Sequence, residues 1–143
     1  MVIRVYSKYK TKPPKQALAE GEERIIGHEK LYPEMLSLLD KCQVNSVTTR
    51  TNEFMALHLI DLGDLRQFSM EALKYGTYIN SQWCRGNAPQ GLYACDSYSF
   101  RCALYCRKER ACVPTLMYIK LCLTDSNQTI AVISLHDSTK TKV

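Results

Sequence analysis

The chain has 143 residues and a mass of 16.4 kDa, with 45% hydrophobic and 23% charged residues, 19 Lys plus Arg against 14 Asp plus Glu, and a formal charge of +5. These values suit one folded domain over 1–143 and exclude a multidomain enzyme, a collagen-like chain, a coiled coil and a disordered polymer. No run of 18 apolar residues is present, so no transmembrane helix is expected, and Met1 to Lys8 lacks the apolar core of a secretion signal. The expectation is an intracellular protein, cytoplasmic or nuclear, with no membrane partner.

Residues 2–6, Val-Ile-Arg-Val-Tyr, alternate and are β-branched, which predicts a strand. Residues 7–16 are rich in lysine and carry Pro13-Pro14, which excludes a central strand or a helix interior and predicts an exposed basic loop. Leu31, Met35, Leu38, Leu39 and Cys42 fall on one helical face, with Pro33 suited to a first turn, so a helix is predicted over 31–42. Residues 44–51 are β-prone and fit a short strand or a loop. Residues 54–62 are apolar at nearly every position, and with Gly63 as a stop they read as a buried strand. Asp64 is a candidate N-cap for a helix over 65–75, whose stripe is Leu65, Phe68, Ala72 and Leu73 and whose stop is Gly76.

Residues 80–91, punctuated by Gly86, Asn87, Pro89 and Gly91, read as a loop. Three strands follow: one centred on the alternation from Tyr98 to Arg107, one over 115–124, and one over 129–136. Turns are expected at 107–110 and at Asp125-Ser126-Asn127. Residues 137–143 form a polar tail expected to fray. The predicted class is α+β: an N-terminal strand and two helices (31–42, 65–75) packed on a mainly antiparallel sheet that ends in a three-stranded meander.

Seven cysteines, at 42, 84, 95, 102, 106, 112 and 122, cannot all pair in a monomer, and without a secretion signal they are expected to be thiols. Cys95, Cys102, Cys106 and Cys112 contain no close CxxC pair. On a strand, Cys102 and Cys106 would stand roughly 13 Å apart, too far to share one zinc ion. They read as small core hydrophobes, and no metal or cofactor is expected. Cys84 followed by His136 and Asp137 has the chain order of a small cysteine hydrolase, but Arg-Gly-Asn-Ala-Pro after Cys84 is not the helix start that would activate a thiol. His28 reads as exposed and His58 as a hydrogen-bonded core residue. No phosphate-loop or dinucleotide fingerprint can be written, and Asp61 and Asp64 read as a strand end and a cap.

The leading expectation is a small non-enzymatic accessory protein that binds nucleic acid, RNA or single strands. Lys8, Lys10, Lys12, Lys15, Lys108 and Arg110 would contact phosphates. Arg101, Tyr105 and Arg107, projecting from one sheet face with Tyr118 and Lys120 beside them, would stack on bases or pair with backbone. The alternative is an accessory protein, viral or from a mobile element, that docks another protein through an aromatic loop formed by Tyr75, Tyr78, Trp83 and Tyr93.

Overall fold

The computed structural model describes residues 3–19, 22 and 24–138. In chain order the elements are β1 (Arg24–Gly27), α1 (Met35–Leu38) running into a 3-10 turn (Leu39–Lys41), β2 (Gln43–Ser46), α2 (Thr49–Leu57), α3 (Leu62–Tyr75), β3 (Thr77–Asn87), β4 (Gln90–Cys106), β5 (Ala111–Leu123) and β6 (Thr129–Asp137). The strands form one open sheet in the order β1-β3-β4-β5-β6-β2, antiparallel throughout except for the parallel β2–β6 pair. The class is α+β, and β4, β5 and β6 make the expected meander.

Several elements differ from the sequence reading. Residues 3–7 make no ladder: Val5 bridges Leu92 and Ser7 bridges Thr124, so this segment is tied across the sheet by single contacts. The helix expected over 31–42 has only one α-helical turn. The residues before it are fastened to the sheet instead, the amides of Leu31 and Tyr32 donating to the carboxylate of Asp96 at 2.9 and 3.0 Å. The guanidinium of Arg66 donates to the carbonyls of Leu39 and Cys42, which satisfies the end of the following turn.

The segment read as a buried strand over 54–62 is α2 and the turn after it. The Thr48 hydroxyl accepts from the Thr51 amide and starts the helix. Thr51, Phe54 and Met55 are buried at helical spacing. The misleading apolar run comes from Leu57, Leu59 and Leu62, which are exposed. α3 begins earlier than expected. Asp61 is its cap, and Asp64 completes a capping box by accepting from the Asp61 amide. Leu65 and Ala72 are fully buried, as their stripe implied, and Phe68 packs on Phe100 with ring centroids 5.9 Å apart.

The largest correction concerns residues 80–91, which are not a loop but most of β3, the tight turn after it and the start of β4. Gly86 and Gly91 face each other in the register of this hairpin, and each makes room for something else. A side chain at Gly86 would overlap the Tyr93 ring, and one at Gly91 would meet the Arg4 carbonyl and the Tyr6 ring. The hairpin tip is fastened by the amides of Asn87 and Ala88, both donating to the Val47 carbonyl. Of the expected polar tail, Asp137 closes β6, Ser138 follows it, and residues 139–143 lie outside the described residues.

Candidate functional site

The register of the meander places Ser97, Ser99, Arg101, Ala103 and Tyr105 of β4 on one face with Lys120, Tyr118, Leu116, Pro114 and Cys112 of β5, and with Ser134 and His136 of β6. The other face carries Tyr98, Phe100, Leu104, Met117, Ile119, Leu121 and Leu135, all buried. Arg101 is exposed, while Tyr105, Tyr118 and Lys120 are half-buried. Tyr118 sits opposite Ser99 and one step along from Arg101, and its ring lies 5.4 Å from that of His136. Tyr105, opposite Cys112, is six residues further along, roughly 20 Å away at strand spacing. The predicted basic and aromatic residues of the strands therefore form a track rather than a pocket.

One predicted member leaves that track. Arg107 lies beyond the end of β4, in the exposed turn 107–110 with Lys108 and Arg110, closed by the Arg110 amide donating to the Arg107 carbonyl at 3.2 Å. The Tyr105 carbonyl accepts from Nδ1 of His58 at 2.7 Å, which ties this end of β4 to α2.

The N-terminal lysines are exposed, as expected, but they do not form a free arm. The Lys8 ammonium pairs with Glu34 at 3.0 Å and that of Lys10 with Asp125 at 3.1 Å. The backbone is fixed as well: the Lys8 amide donates to Leu123 and the Asp125 amide to Tyr6. The Glu34 carboxyl is held below the usual carboxylate range by its own backbone N–H and by Lys8. Lys12 and Lys15 remain as exposed cations on the loop.

The aromatic set proposed for protein docking is split by the fold. Trp83 and Tyr93 are 3% and 1% exposed, Tyr93 stacked on Tyr6 and Trp83 against Tyr9. Tyr78 shares a hydrogen bond with Ser81 and packs edge-on against Tyr98. Only Tyr75, 74% exposed, is available at a surface, where it lines a shallow groove with Arg101, Leu116 and Glu71. The fold thus brings together Tyr75 and Arg101, which the sequence had assigned to separate surfaces.

The track runs into a cleft of about 310 Å³ whose walls come from four elements: Thr48, Arg50 and Thr51 at the start of α2, Cys84 and Arg85 of β3, Lys120 of β5, and Ile133 to His136 of β6, with Glu22 also lining it. The Thr48 and Thr51 hydroxyls both lie within hydrogen-bond distance of the Ile133 carbonyl, which fixes the start of α2 against β6. His136 Nδ1 donates to the Asp137 carbonyl at 3.2 Å, leaving Nε2 as the other polar atom of the ring. Arg85 is half-buried, and its Nε is shielded from solvent with no hydrogen-bond partner among the described residues.

Cys84 and His136, named in sequence as a candidate catalytic couple, line this same cleft. Cys84 sits in mid-strand rather than at a helix start, is 4% exposed, and donates weakly to Gln82 at 3.9 Å. Cys95 and Cys122 are fully buried, and the Tyr32 hydroxyl touches the Cys122 sulfur at 3.8 Å. Burial is the first cause that drives the Cys95 thiol and the Tyr32 hydroxyl well above their ordinary values. Among the described residues no group of His, Cys, Asp and Glu is arranged to hold a metal ion, and no helix is long and apolar enough to cross a membrane.

The alternation made Lys120 legible on the face of Tyr118, whereas His136, which the β5–β6 register sets opposite Tyr118, was read only with Cys84. Arg50 and Arg85 were missed. Nothing local to either residue announces a cleft that forms only when α2 packs on β6 and β3 closes the sheet on the other side. Compared with protein-family models, with curated proteins and with solved structures, the chain matches none.

Proposed function

We propose that this chain is a non-enzymatic nucleic-acid-binding protein for single strands, RNA first among them, and that it binds along the open face of the meander. The observation that supports this most is the continuous surface formed by Arg101, the Tyr118–His136 ring pair and Lys120, which leads into a cleft lined by Arg50 and Arg85. Guanidinium and ammonium groups neutralise phosphates, and an accessible ring stacks on an unpaired base, which a duplex does not offer. The paired lysines 8 and 10 contribute less than the sequence implied, and the exposed tip with Arg107, Lys108 and Arg110 supplies further positive charge at the far end.

The test is fluorescence anisotropy with short single-stranded RNA, single-stranded DNA and duplex at two salt concentrations. Affinity for the single strands should exceed that for duplex and fall with salt. Each phosphate contact adds about −0.7 to the slope of log K against log salt, so the double variant R101Q/K120Q should flatten it by roughly 1.4. Tyr118→Ala should cost about 1–3 kcal/mol of binding with little change in slope, because stacking does not release counterions. Absence of binding at low salt would overturn the proposal.

A further inference from the structure

We infer that the stretch of β4 from Arg101 to Tyr105 is a self-association edge, along which a second copy of this chain pairs antiparallel about a two-fold axis at Ala103. This goes beyond the nucleic-acid reading and does not depend on it.

The edge is open because β3 is shorter than β4. Their pairing ends at Thr77 opposite Ser99, and from there to Cys106 only β5 accompanies β4 among the described residues. Two observations fix which backbone groups face the open side. Ala103 stands opposite Pro114, which has no N–H to give, so β4 and β5 exchange no pair of bonds at this position. The Tyr105 carbonyl, at a position of the same parity, accepts from Nδ1 of His58 at 2.7 Å, outside the ladder. The N–H and C=O of Arg101 and Ala103 and the N–H of Tyr105 therefore point outward, and no turn, loop or cap bond between backbone groups reaches them among the described residues.

Such an edge is a template for another strand, and proteins ordinarily blunt it by shortness, proline or a bulge. The outer strands of this sheet, β1 and β2, are four residues long each. Residues 101–105 contain no proline, and their register against β5 is unbroken.

The edge is complementary to itself. A second copy turned about Ala103 sets that residue against its own counterpart, and its small, exposed side chain leaves room for close approach. The same register sets Arg101 beside Tyr105 of the second copy, twice, a guanidinium next to a ring on the open face. The Tyr105 carbonyl has a second lone pair for the new strand. A register centred nearer Ser99 would drive the second copy into Thr77, where β3 begins. The two ends match as well. A groove lined by Glu71 and the exposed Tyr75 lies beside Arg101. The two-fold carries toward it the turn that holds Arg107 and Lys108, neither of which has an acidic partner among the described residues. It also brings Tyr75 toward the end where the exposed Leu57 and Leu59 flank His58 of the other copy. The two meanders then share one open face.

The experiment is sedimentation velocity of the full chain in reducing buffer over a hundredfold range of concentration. The 16.4 kDa chain should pass reversibly to twice that mass. Ala103→Lys, at an exposed position, places like charges face to face on the axis and should weaken the dimer about tenfold or more. Ala103→Pro removes an outward N–H that the β4–β5 ladder does not use and should act in the same direction. R107E/K108E should weaken the dimer less. Thermal melts establish that the variants fold. A monomer at every concentration would overturn the inference, and so would a dimer indifferent to both Ala103 variants, since its contact would lie elsewhere.

Discussion

The two halves of β4 obey different rules. From Leu92 to Tyr98 every residue is buried, whereas from Ser99 to Tyr105 only Phe100 and Leu104 are. The first half is covered twice. On one side, residues 3–18 lie across it, with Val5 bridging Leu92, Tyr6 on Tyr93, Tyr9 against Trp83, and Leu18 closing a small cluster with Trp83, Leu92 and Ala94. The second half is covered once, by α3 through Phe68 on Phe100, and its other face is left to Arg101, Tyr105 and their neighbours on β5. One strand therefore serves as core at one end and as open sheet surface at the other. What separates the ends is whether a distant segment of chain lies on top.

Substitutions should expose that difference in order of size. In the doubly covered half, Trp83→Ala or Tyr93→Ala should cost about 3–5 kcal/mol in urea unfolding, because each leaves a large cavity beneath a segment that cannot collapse into it. Asp96→Ala should follow at roughly 2–4 kcal/mol. It removes one carboxylate that accepts from Leu31, Tyr32 and Ser81 and leaves buried amides unpaired. A cost below 1 kcal/mol at Trp83 and Tyr93 would mean that the N-terminal segment does not cover the sheet in solution.

Alkaline pH tests the same burial. Burial raises the Tyr32, Tyr93, Tyr98 and Cys95 groups above their ordinary values, and Cys102 is pushed up to about 11 from 9.0. In each case the unfolded chain releases its proton first, so the stability these groups contribute is complete below about pH 9. It falls as pH rises through the folded values. The urea midpoint should hold between pH 7 and 8.5 and drop steadily from 9 to 11. Alkylation of the native protein at pH 8 should modify the exposed Cys112 first and the fully buried Cys95 and Cys122 last, read by mass spectrometry.

On the singly covered half the effects on stability should be small. Tyr118→Ala should cost less than about 1 kcal/mol of folding while weakening strand binding. Smallest of all, Lys8→Ala and Lys10→Ala should each change stability by about 0–1 kcal/mol, since both ion pairs are at the surface. A larger loss would show that the two bridges, and not the buried aromatic rings, hold residues 3–10 in place.

How much was legible in the sequence follows the same division. The α+β class, the α3 stripe, the three C-terminal strands and the face of Arg101, Tyr105 and Tyr118 could be read directly. In the helix and the strands the residues that repeat along the element are the ones its neighbours cover, and on the open face they are the ones left uncovered. α2 was not legible, because Leu57, Leu59 and Leu62 are apolar yet exposed and mask the helical spacing of Thr51, Phe54 and Met55. The β3–β4 hairpin was not legible, because its glycines read as turn residues when they serve close approach: Gly86 to the ring of Tyr93 and Gly91 to the backbone of Arg4. The cleft was the least legible feature, since Arg50, Arg85, Lys120 and His136 come from four elements that meet only in the folded sheet with α2 packed on β6.

The sequence by itself determined the local periodicities, the positive balance and the residue types available for phosphate and base. The tertiary structure decided which aromatic rings are buried, which lysines are already paired with acids, and which cations share a cleft. Period and propensity act over a few residues. Burial and ion pairing depend on segments as much as 115 residues apart, as between Lys10 and Asp125, and no local pattern encodes which distant surface will be covered.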